Sequence, residues 1–134
     1  MKIQKIDHIA IAVKDMDTGI AFYRDVLKLP YAGREVVGAV ETAFFRCGEV
    51  LVELVAGVTP DAHVNKHIAK YGEGLYHIAY RVENIEDALN YCVEKDLPVS
   101  STTPQPGANG SKVSFIKAKG VFGVLTELVE NEDH

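Results

Sequence analysis

One short pattern occurs twice in this chain, and a repeat of this kind restricts the fold to an arrangement of two similar modules. Residues 8–13 read His-Ile-Ala-Ile-Ala-Val, and residues 77–82 read His-Ile-Ala-Tyr-Arg-Val. A matching apolar segment that contains one Glu follows each copy, at residues 50–55 and 124–129. Each repeat therefore contributes one His and one Glu at equivalent positions.

Hydrophobic periodicity predicts the same order of elements in both repeats. The first repeat is predicted to contain a strand, a helix and three strands, at 6–13, 15–27, 31–37, 40–47 and 50–55. The second is predicted to contain the same elements, at 75–82, from Ile85 onward, and at 98–102, 112–116 and 124–129. Asp15 and Asn84 are the expected helix N-caps. The sequence thus predicts an α+β fold of two tandem βαβββ modules, whose curled mixed sheets form an open half-barrel.

The length of 134 residues corresponds to one domain. We expect this domain to span 1–134, with modules at about 1–58 and 73–134. A helix at 59–72 is expected to link them, with Thr59 as its cap and Pro60 in its first turn.

Charge and hydropathy exclude several classes of function. The chain has 14 Lys and Arg against 19 Asp and Glu, a net charge of −5, and shows no basic stripe, so we expect no nucleic-acid partner. No signal-peptide pattern opens the sequence, and no apolar run is long enough for a membrane span. We therefore expect a cytoplasmic protein that acts on a small molecule, without a membrane partner.

Strand alternation predicts where the repeated His and Glu side chains point. Side chains two positions apart share a face of a strand, so His8 lies beside Ala10 and His77 lies beside Ala79. A small residue next to each His leaves room for a ligand. A buried carboxylate without a partner is costly, and a shared cation would make both Glu side chains tolerable. We therefore predict one divalent metal site with the ligands His8, Glu53, His77 and Glu127.

Other polar residues have weaker patterns. His63 and His67 lie four residues apart on the linker helix, but no carboxylate completes a site there, which favours a solvated face. Glu41 shares a strand face with apolar residues and is either a functional carboxylate or a surface residue of an edge strand. Arg81 is placed either to meet an anionic substrate or to end its strand in solvent. Three lysines surround the loop at 104–111 and could meet phosphates or form a solvated edge: Lys112, Lys117 and Lys119.

Nearly the whole chain resembles the vicinal oxygen chelate superfamily, which includes glyoxalase I, bleomycin resistance proteins and extradiol dioxygenases. Within it, the chain most resembles the methylmalonyl-CoA epimerase family. The segments that carry the resemblance are the two His-containing strands and two later stretches, at 6–13, 70–82, 106–112 and 123–128.

The resemblance implies a function and a set of roles. It implies interconversion of (R)- and (S)-methylmalonyl-CoA, by removal and return of a proton through an enolate that a metal stabilises. The family's metal positions fall on His8, Glu53, His77 and Glu127, and its two proton-transfer bases fall on Glu41 and Glu127. The implied cofactor is a divalent metal, with Co²⁺ first and Ni²⁺, Mn²⁺ or Zn²⁺ as alternatives. The implied partners are an acyl-CoA substrate and a second copy of the chain in a homodimer.

The chain departs from the epimerase pattern at three places. Glu53 stands where these epimerases often have Gln, and Glu is also the pattern of bacterial glyoxalase I. Lys117-Ala118-Lys119 replaces His-Pro-Lys, and Tyr76 replaces a second His. A glyoxalase I type isomerase is therefore the alternative enzyme. A non-catalytic binding module would need no metal ligands, and an iron dioxygenase would use two His and only one carboxylate.

Overall fold

The secondary structure follows the predicted repeat. The computed structural model describes residues 1–132, so the last two residues of the expected domain 1–134 lie outside the described part. The strands are β1 (Ile3–Ala12), β2 (Tyr31–Val37), β3 (Val40–Cys47), β4 (Val50–Gly57), β5 (Gly74–Val82), β6 (Gln105–Pro106), β7 (Lys112–Ile116) and β8 (Thr126–Glu130). The α-helices are α1 (Met16–Ala21), α2 (His63–Tyr71) and α3 (Ile85–Glu94).

The chain divides into two units, which we call the N-terminal unit (His8–Tyr76) and the C-terminal unit (Met1–Asp7 with His77–His134). In the N-terminal unit the strand order is β2-β3-β4-β1, with β1 parallel to β4 and the other pairs antiparallel. In the C-terminal unit the order is β5-β8-β7-β6, with β5 parallel to β8. The predicted α+β class, with a mixed βαβββ sheet in each unit, is confirmed.

Each unit covers one face of its sheet with its first helix. In the N-terminal unit, Met16 and Ile20 of α1 pack against Ala43, Phe45 and Leu54. In the C-terminal unit, α3 packs against the side chains of Val82, Ile116 and Leu128. Because side chains alternate along a strand, the neighbours of these core residues point to the opposite face. Glu53 is next to Leu54, and Glu127 is next to Leu128, so both Glu residues lie on the face away from the helix.

The helix ends agree with the sequence at three points. Asp15 and Asn84 cap α1 and α3, since each side chain accepts a hydrogen bond from a backbone N–H three residues later, at 2.9 Å. Gly72 ends α2 with a positive φ of 83°, which glycine adopts without strain. The linker helix itself occupies His63–Tyr71, so Thr59 and Pro60 lie in the turn that precedes it.

The helix predicted at 15–27 is α-helical only in its first half. The α-helix gives way to a π-helical turn at Phe22–Val26, where the N–H of Leu27 bonds the carbonyl of Phe22, five residues earlier. A wider turn rotates every later side chain around the helix axis. Val26 and Leu27 were expected on the buried face and are instead 64% and 50% exposed.

The predicted strand at 98–102 is wrong. Only Val99 forms a bridge, to Ile116, and the segment has no regular ladder. Pro98 has no N–H to donate, and although the N–H of Ser100 still donates to the Phe115 carbonyl at 2.8 Å, the Ser101 side chain bonds locally instead. The Ser101 hydroxyl donates to the carbonyl of Thr103 at 2.6 Å and also accepts from its N–H at 3.1 Å. None of the helices within residues 1–132 is long and apolar enough to cross a membrane.

Candidate metal centre

In the N-terminal unit, the first predicted His and Glu are brought together. The parallel register of β1 and β4 places Ala10 beside Glu53, so that His8 lies two positions away on the same face. His8 Nδ1 lies 3.3 Å from a carboxylate oxygen of Glu53, and each residue is only 5% exposed. Ala10, which is fully buried, leaves the space that the two longer side chains share.

The C-terminal unit repeats this arrangement with its own residues. The register of β5 and β8 places Ala79 beside Glu127, and His77 lies two positions before Ala79. His77 Nε2 lies 3.2 Å from a carboxylate oxygen of Glu127, and both residues are 6% exposed. Phe115 of β7 stands opposite Glu127 in the register and packs edge-on against the His77 ring, with centroids 5.3 Å apart. The two His–Glu pairs are thus equivalent in strand, register and burial.

The spacing within each pair fits metal ligands. A charge-assisted hydrogen bond between nitrogen and carboxylate is about 2.7–2.9 Å long, and both pairs are longer, at 3.3 and 3.2 Å. Two ligand atoms at about 2.1 Å from a shared ion lie about 3.0 Å apart at a right angle and about 3.4 Å apart at the tetrahedral angle. His8 with Glu53, and His77 with Glu127, occur together in groups of buried side chains able to hold a metal. Imidazole and carboxylate donors suit a divalent transition metal.

Glu41 lies on a different face from Glu53. The antiparallel register pairs Phe44 with Glu53 and Ala43 with Leu54, so Glu41 belongs with Ala43 on the face that α1 covers. On β3, the side chains that share the face of Glu53 are those of Thr42 and Phe44. The register therefore does not support the expectation that Glu41 acts as a base beside His8 and Glu53.

Sequence reasoning also missed the partner of Glu41. Arg34 of β2 donates two hydrogen bonds to the Glu41 carboxylate, both at 3.0 Å, and a third to Asp17 of α1 at 2.9 Å. The bonds to Glu41 and Asp17 raise the pKa of the Arg34 guanidinium above its ordinary value. This cluster joins the β2–β3 hairpin to α1. The signal in the sequence was the opposite charge of Arg34 and Glu41, which are diagonal neighbours once the hairpin turn is placed at Gly38.

Arg81 does not end its strand in solvent. It is buried, and its Nε lies 3.7 Å from a carboxylate oxygen of Asp7, which is also buried. Asp7 immediately precedes His8 in the chain, and sequence reasoning overlooked it because an isolated Asp gives no periodic signal. Taking two charges out of water is costly unless they pair, which explains why both lie together within the C-terminal unit.

The remaining candidates lie away from the His–Glu pairs. His63 is hydrogen-bonded through Nδ1 to the Tyr76 hydroxyl, and both His63 and His67 pack against the Tyr76 ring. His63 is exposed and His67 is partly buried, so the face that carries them is partly solvated, as expected, while both rings also contact Tyr76. Burial lowers the pKa of His67. The three lysines are exposed, and Lys112 Nζ lies 4.0 Å from Glu130.

A sequence model of the Glyoxalase/Bleomycin resistance protein/Dioxygenase superfamily matches residues 5–128. The chain belongs to this superfamily. The resemblance expected from its repeated strands is thereby confirmed, together with the glyoxalase-type fold. Divalent metal binding is common in the superfamily, and the chain's own buried His–Glu pairs agree with it.

Relatives within the superfamily cover nearly the whole chain. The uncharacterized protein YqjC of Bacillus subtilis is 35% identical over 130 residues, which are 96% of this chain and 93% of that protein. The mitochondrial methylmalonyl-CoA epimerase of mouse is 31% identical over 132 residues, which are 95% of this chain and 73% of that protein. A Streptomyces coelicolor methylmalonyl-CoA epimerase variant, solved with 2-nitronate-propionyl-CoA, is 30% identical with a TM-score of 0.93, covering 97% of this chain and 99% of that chain. The superfamily member described here is therefore related to isomerases.

Proposed function

We propose that the protein is a metal-dependent isomerase that epimerises an acyl-CoA thioester of the methylmalonyl type. The observation that carries the proposal is the correspondence of the two buried His–Glu pairs, which lie in equivalent registers at 3.3 Å through His8 Nδ1 and at 3.2 Å through His77 Nε2. We propose that His8, Glu53, His77 and Glu127 together hold one divalent ion, with Co²⁺ as the first candidate and Ni²⁺, Mn²⁺ or Zn²⁺ as alternatives. The relatives that are named methylmalonyl-CoA epimerase support the substrate class.

The chemistry needs a group that moves a proton at the carbon between the thioester and the carboxylate. When bound, a divalent metal supplies Lewis acidity that stabilises negative charge on the carbonyl oxygen of the substrate. Glu127 is the proposed base, since its carboxylate is buried on the face of β8 that lies away from α3. His77 orients that carboxylate, and Phe115 restricts the His77 ring and excludes water from one side of it.

A glyoxalase I type isomerase is the second candidate, and two observations favour it. Glu53 stands at the position where these epimerases often have Gln. Both pairs therefore consist of one His and one Glu. Glu41, the second base expected for an epimerase, is bound to Arg34 on the face that α1 covers. Both candidates require a proton to be moved next to a carbonyl group, so they differ in substrate and share the site.

The deciding experiment follows solvent deuterium into the substrate. Protein loaded with Co²⁺ is incubated in heavy water with methylmalonyl-CoA, and mass spectrometry measures deuterium at the carbon between the carbonyl groups. We expect rapid incorporation that depends on the metal and falls to the uncatalysed rate in chelated protein. Absence of incorporation in metal-loaded protein would contradict the epimerase proposal, and turnover of the hemithioacetal of methylglyoxal and glutathione would then support the second candidate.

Two further expectations belong to this proposal. We propose that the enzyme acts in the cytoplasm and that it forms a homodimer. Size-exclusion chromatography with light scattering would test the oligomeric state. A protein that neither retains a divalent metal nor exchanges substrate protons would instead agree with a small-molecule binding module.

A further inference from the structure

Apolar side chains are exposed on the π-helical turn that follows α1. Phe22 is 47% exposed, and Val26 and Leu27 are more exposed still. The N–H of Leu27 bonds the carbonyl of Phe22, so Leu27 lies one wide turn beyond Phe22, with Val26 beside it. The three side chains therefore share one face of the turn. π-Helical turns are rare and often occur at functional sites, which makes this face a candidate for contact with another molecule.

A row of aromatic rings leads from this turn to β2. Phe22 packs edge-on against Tyr23, with ring centroids 5.6 Å apart. Tyr23 packs on Phe45 of β3 at 5.7 Å, and Tyr31 of β2 packs on Phe45 at 5.5 Å. Tyr31 is itself exposed. The exposed face of the turn and the first residue of β2 are therefore neighbours on the surface of the N-terminal unit.

Val36 extends this surface along β2. The register pairs Val36 with Glu41, which lies on the face of β3 that α1 covers, so the exposed Val36 side chain lies on the same side as Tyr31. Arg34 lies between them on this face, and its charge is already paired with Glu41 and Asp17. We call this surface the apolar patch, and it consists of Phe22, Val26, Leu27, Tyr31 and Val36.

The apolar patch is large for the surface of a monomer. Its five side chains together expose about 400 Å², given that one aromatic side chain alone can bury about 150–250 Å². Monomers rarely expose a contiguous apolar patch of more than a few hundred Å² without a function for it. A protein–protein interface of standard size buries about 800 Å² on each partner, of which a little over half is apolar. The patch therefore supplies most of the apolar area that such an interface needs.

The edge of β2 is a poor template for another strand. β2 is the outer strand of the N-terminal unit's sheet, and its register shifts between Tyr31 and Gly33, where Gly33 has a φ of 114°. A bulge of this kind interrupts the row of backbone groups with which a further strand would pair. We therefore expect a partner to pack on the side chains of the patch and not on the backbone edge of β2.

The charges on the turn favour a second copy of the chain as the partner. Arg24 binds Asp25 through two hydrogen bonds, at 2.8 and 3.0 Å, and Lys28 is the other charged residue of the turn. An anionic membrane surface would call for a strongly basic border, which this turn does not provide. A two-fold interface presents the same surface from both partners, so apolar side chains meet apolar side chains, and a nearly neutral border meets its copy with little repulsion.

We propose that the apolar patch is the surface through which two copies of the chain form a two-fold symmetric homodimer. The inference rests on the proposed function for the existence of the dimer, and it adds where the copies meet. The patch lies in the N-terminal unit and includes neither His–Glu pair. Association is therefore measured without metal or substrate, independently of the proposed reaction.

The first test compares Val26→Glu with Val93→Glu in the full-length protein. Val26 is in the patch, whereas Val93 is 51% exposed on α3 of the C-terminal unit and is the matched control. Sedimentation velocity over a wide range of concentrations measures the dissociation constant of the dimer. Val26→Glu is expected to raise this constant by at least about 100-fold, because a two-fold interface meets the substitution twice. Val93→Glu is expected to leave it unchanged.

The second test uses fluorescence and needs no disruptive substitution. The sequence contains no Trp, so a single introduced Trp reports on its own surroundings. Tyr31→Trp places the probe in the patch, and Tyr91→Trp is the matched control, since the two tyrosines are 38% and 37% exposed. Dilution is expected to shift the emission of Tyr31→Trp to longer wavelength as the dimer dissociates, and to leave the emission of Tyr91→Trp unchanged.

The outcomes separate this inference from the proposed reaction. A wild-type chain that stays monomeric at every concentration would overturn the inference, and the deuterium experiment would still decide the reaction. A monomeric wild type that binds phosphatidylserine vesicles would assign the patch to a membrane surface instead. A dimer that survives Val26→Glu, with emission of Tyr31→Trp that does not change on dilution, would place the interface elsewhere. Dimers that only Val26→Glu weakens would support the inference, even in a protein that exchanges no substrate proton.

Discussion

Neighbouring residues of β3 show that a shift of one position changes the face of the strand on which a side chain lies. Thr42 and Glu41 are adjacent, yet one faces the side of Glu53 and the other faces α1. Alternation along β3 was evident from the sequence, which grouped Glu41 with Ala43 and Phe45. The sequence did not reveal which of the two faces meets the helix, because that depends on the pairing of β3 with β4. The His–Glu pairs were predictable because the same pattern of one His and one Glu occurs at equivalent positions in both repeats.

At the same scale, Asp15 should make the stability of the protein depend on pH. Hydrogen bonds from Thr18, first of all from its backbone N–H, lower the pKa of Asp15 below its ordinary value of 3.8. A carboxyl group whose pKa is lower in the folded state stabilises that state above pH 3.8 and loses this effect as the pH falls through the lowered pKa. We expect wild-type protein to melt above Asp15→Asn at neutral pH, with the difference vanishing in acid.

Melting curves of metal-free protein, recorded by circular dichroism across the acid range, would check this. Asparagine also caps helices, so Asp15→Asn removes the charge and keeps the cap. Asp15→Ala is the matched control, because it removes both and should melt lower than Asp15→Asn at every pH. A difference between wild type and Asp15→Asn that stays constant into strong acid would contradict the assignment.

Among the elements, most strands were predictable because their two ends carry turn residues. Gly38 and the pair Gly48-Glu49 interrupt the apolar runs, and β2 and β3 have the predicted bounds. The segment after Pro98 shows the opposite case, since the Ser101 side chain bonds the nearby backbone of Thr103 where a regular ladder was predicted. The π-helical turn after α1 had no signal in the periodicity, because apolar residues continue through it.

The start of α3 provides a prediction at this scale. Asn84 accepts a hydrogen bond from the N–H of Asp87, and Glu130 of β8 accepts one from the N–H of Ile85, both at 2.9 Å. The first bond caps the helix, and the second ties it to the strand that carries Glu127. We expect Asn84→Ala to lower the free energy of unfolding by about 1 kcal/mol, the usual loss for a helix cap.

Urea denaturation followed by circular dichroism would measure the change. Asn90→Ala is the matched control, because Asn90 is exposed within the same helix and alanine is a better helix former there. It should leave the free energy of unfolding unchanged or slightly higher. Equal losses in Asn84→Ala and Asn90→Ala would show that the cap contributes nothing specific.

For the whole molecule, the repeat doubles the number of candidate metal ligands that one unit has alone. Each unit supplies one imidazole and one carboxylate, which is too few ligands for a tightly bound divalent ion. If the proposed site is correct, the ion takes two ligands from each unit and binds with a stoichiometry of one per chain. Because the ion binds only the folded chain, it should also stabilise both units together, by about 2.7 kcal/mol at a free concentration 100 times Kd.

Isothermal titration of metal-free protein with Co²⁺ would count the ions, and thermal melting would follow their effect. We expect one ion per chain, and we expect His8→Ala and His77→Ala each to weaken the same binding event, although they lie in different units. His67→Ala is the matched control, because His67 packs against Tyr76 and belongs to neither pair. Two ions per chain, with each His substitution removing one and sparing the other, would show that the pairs act separately. The proposed four-ligand site would then be wrong, and with it the chemistry that depends on a shared ion.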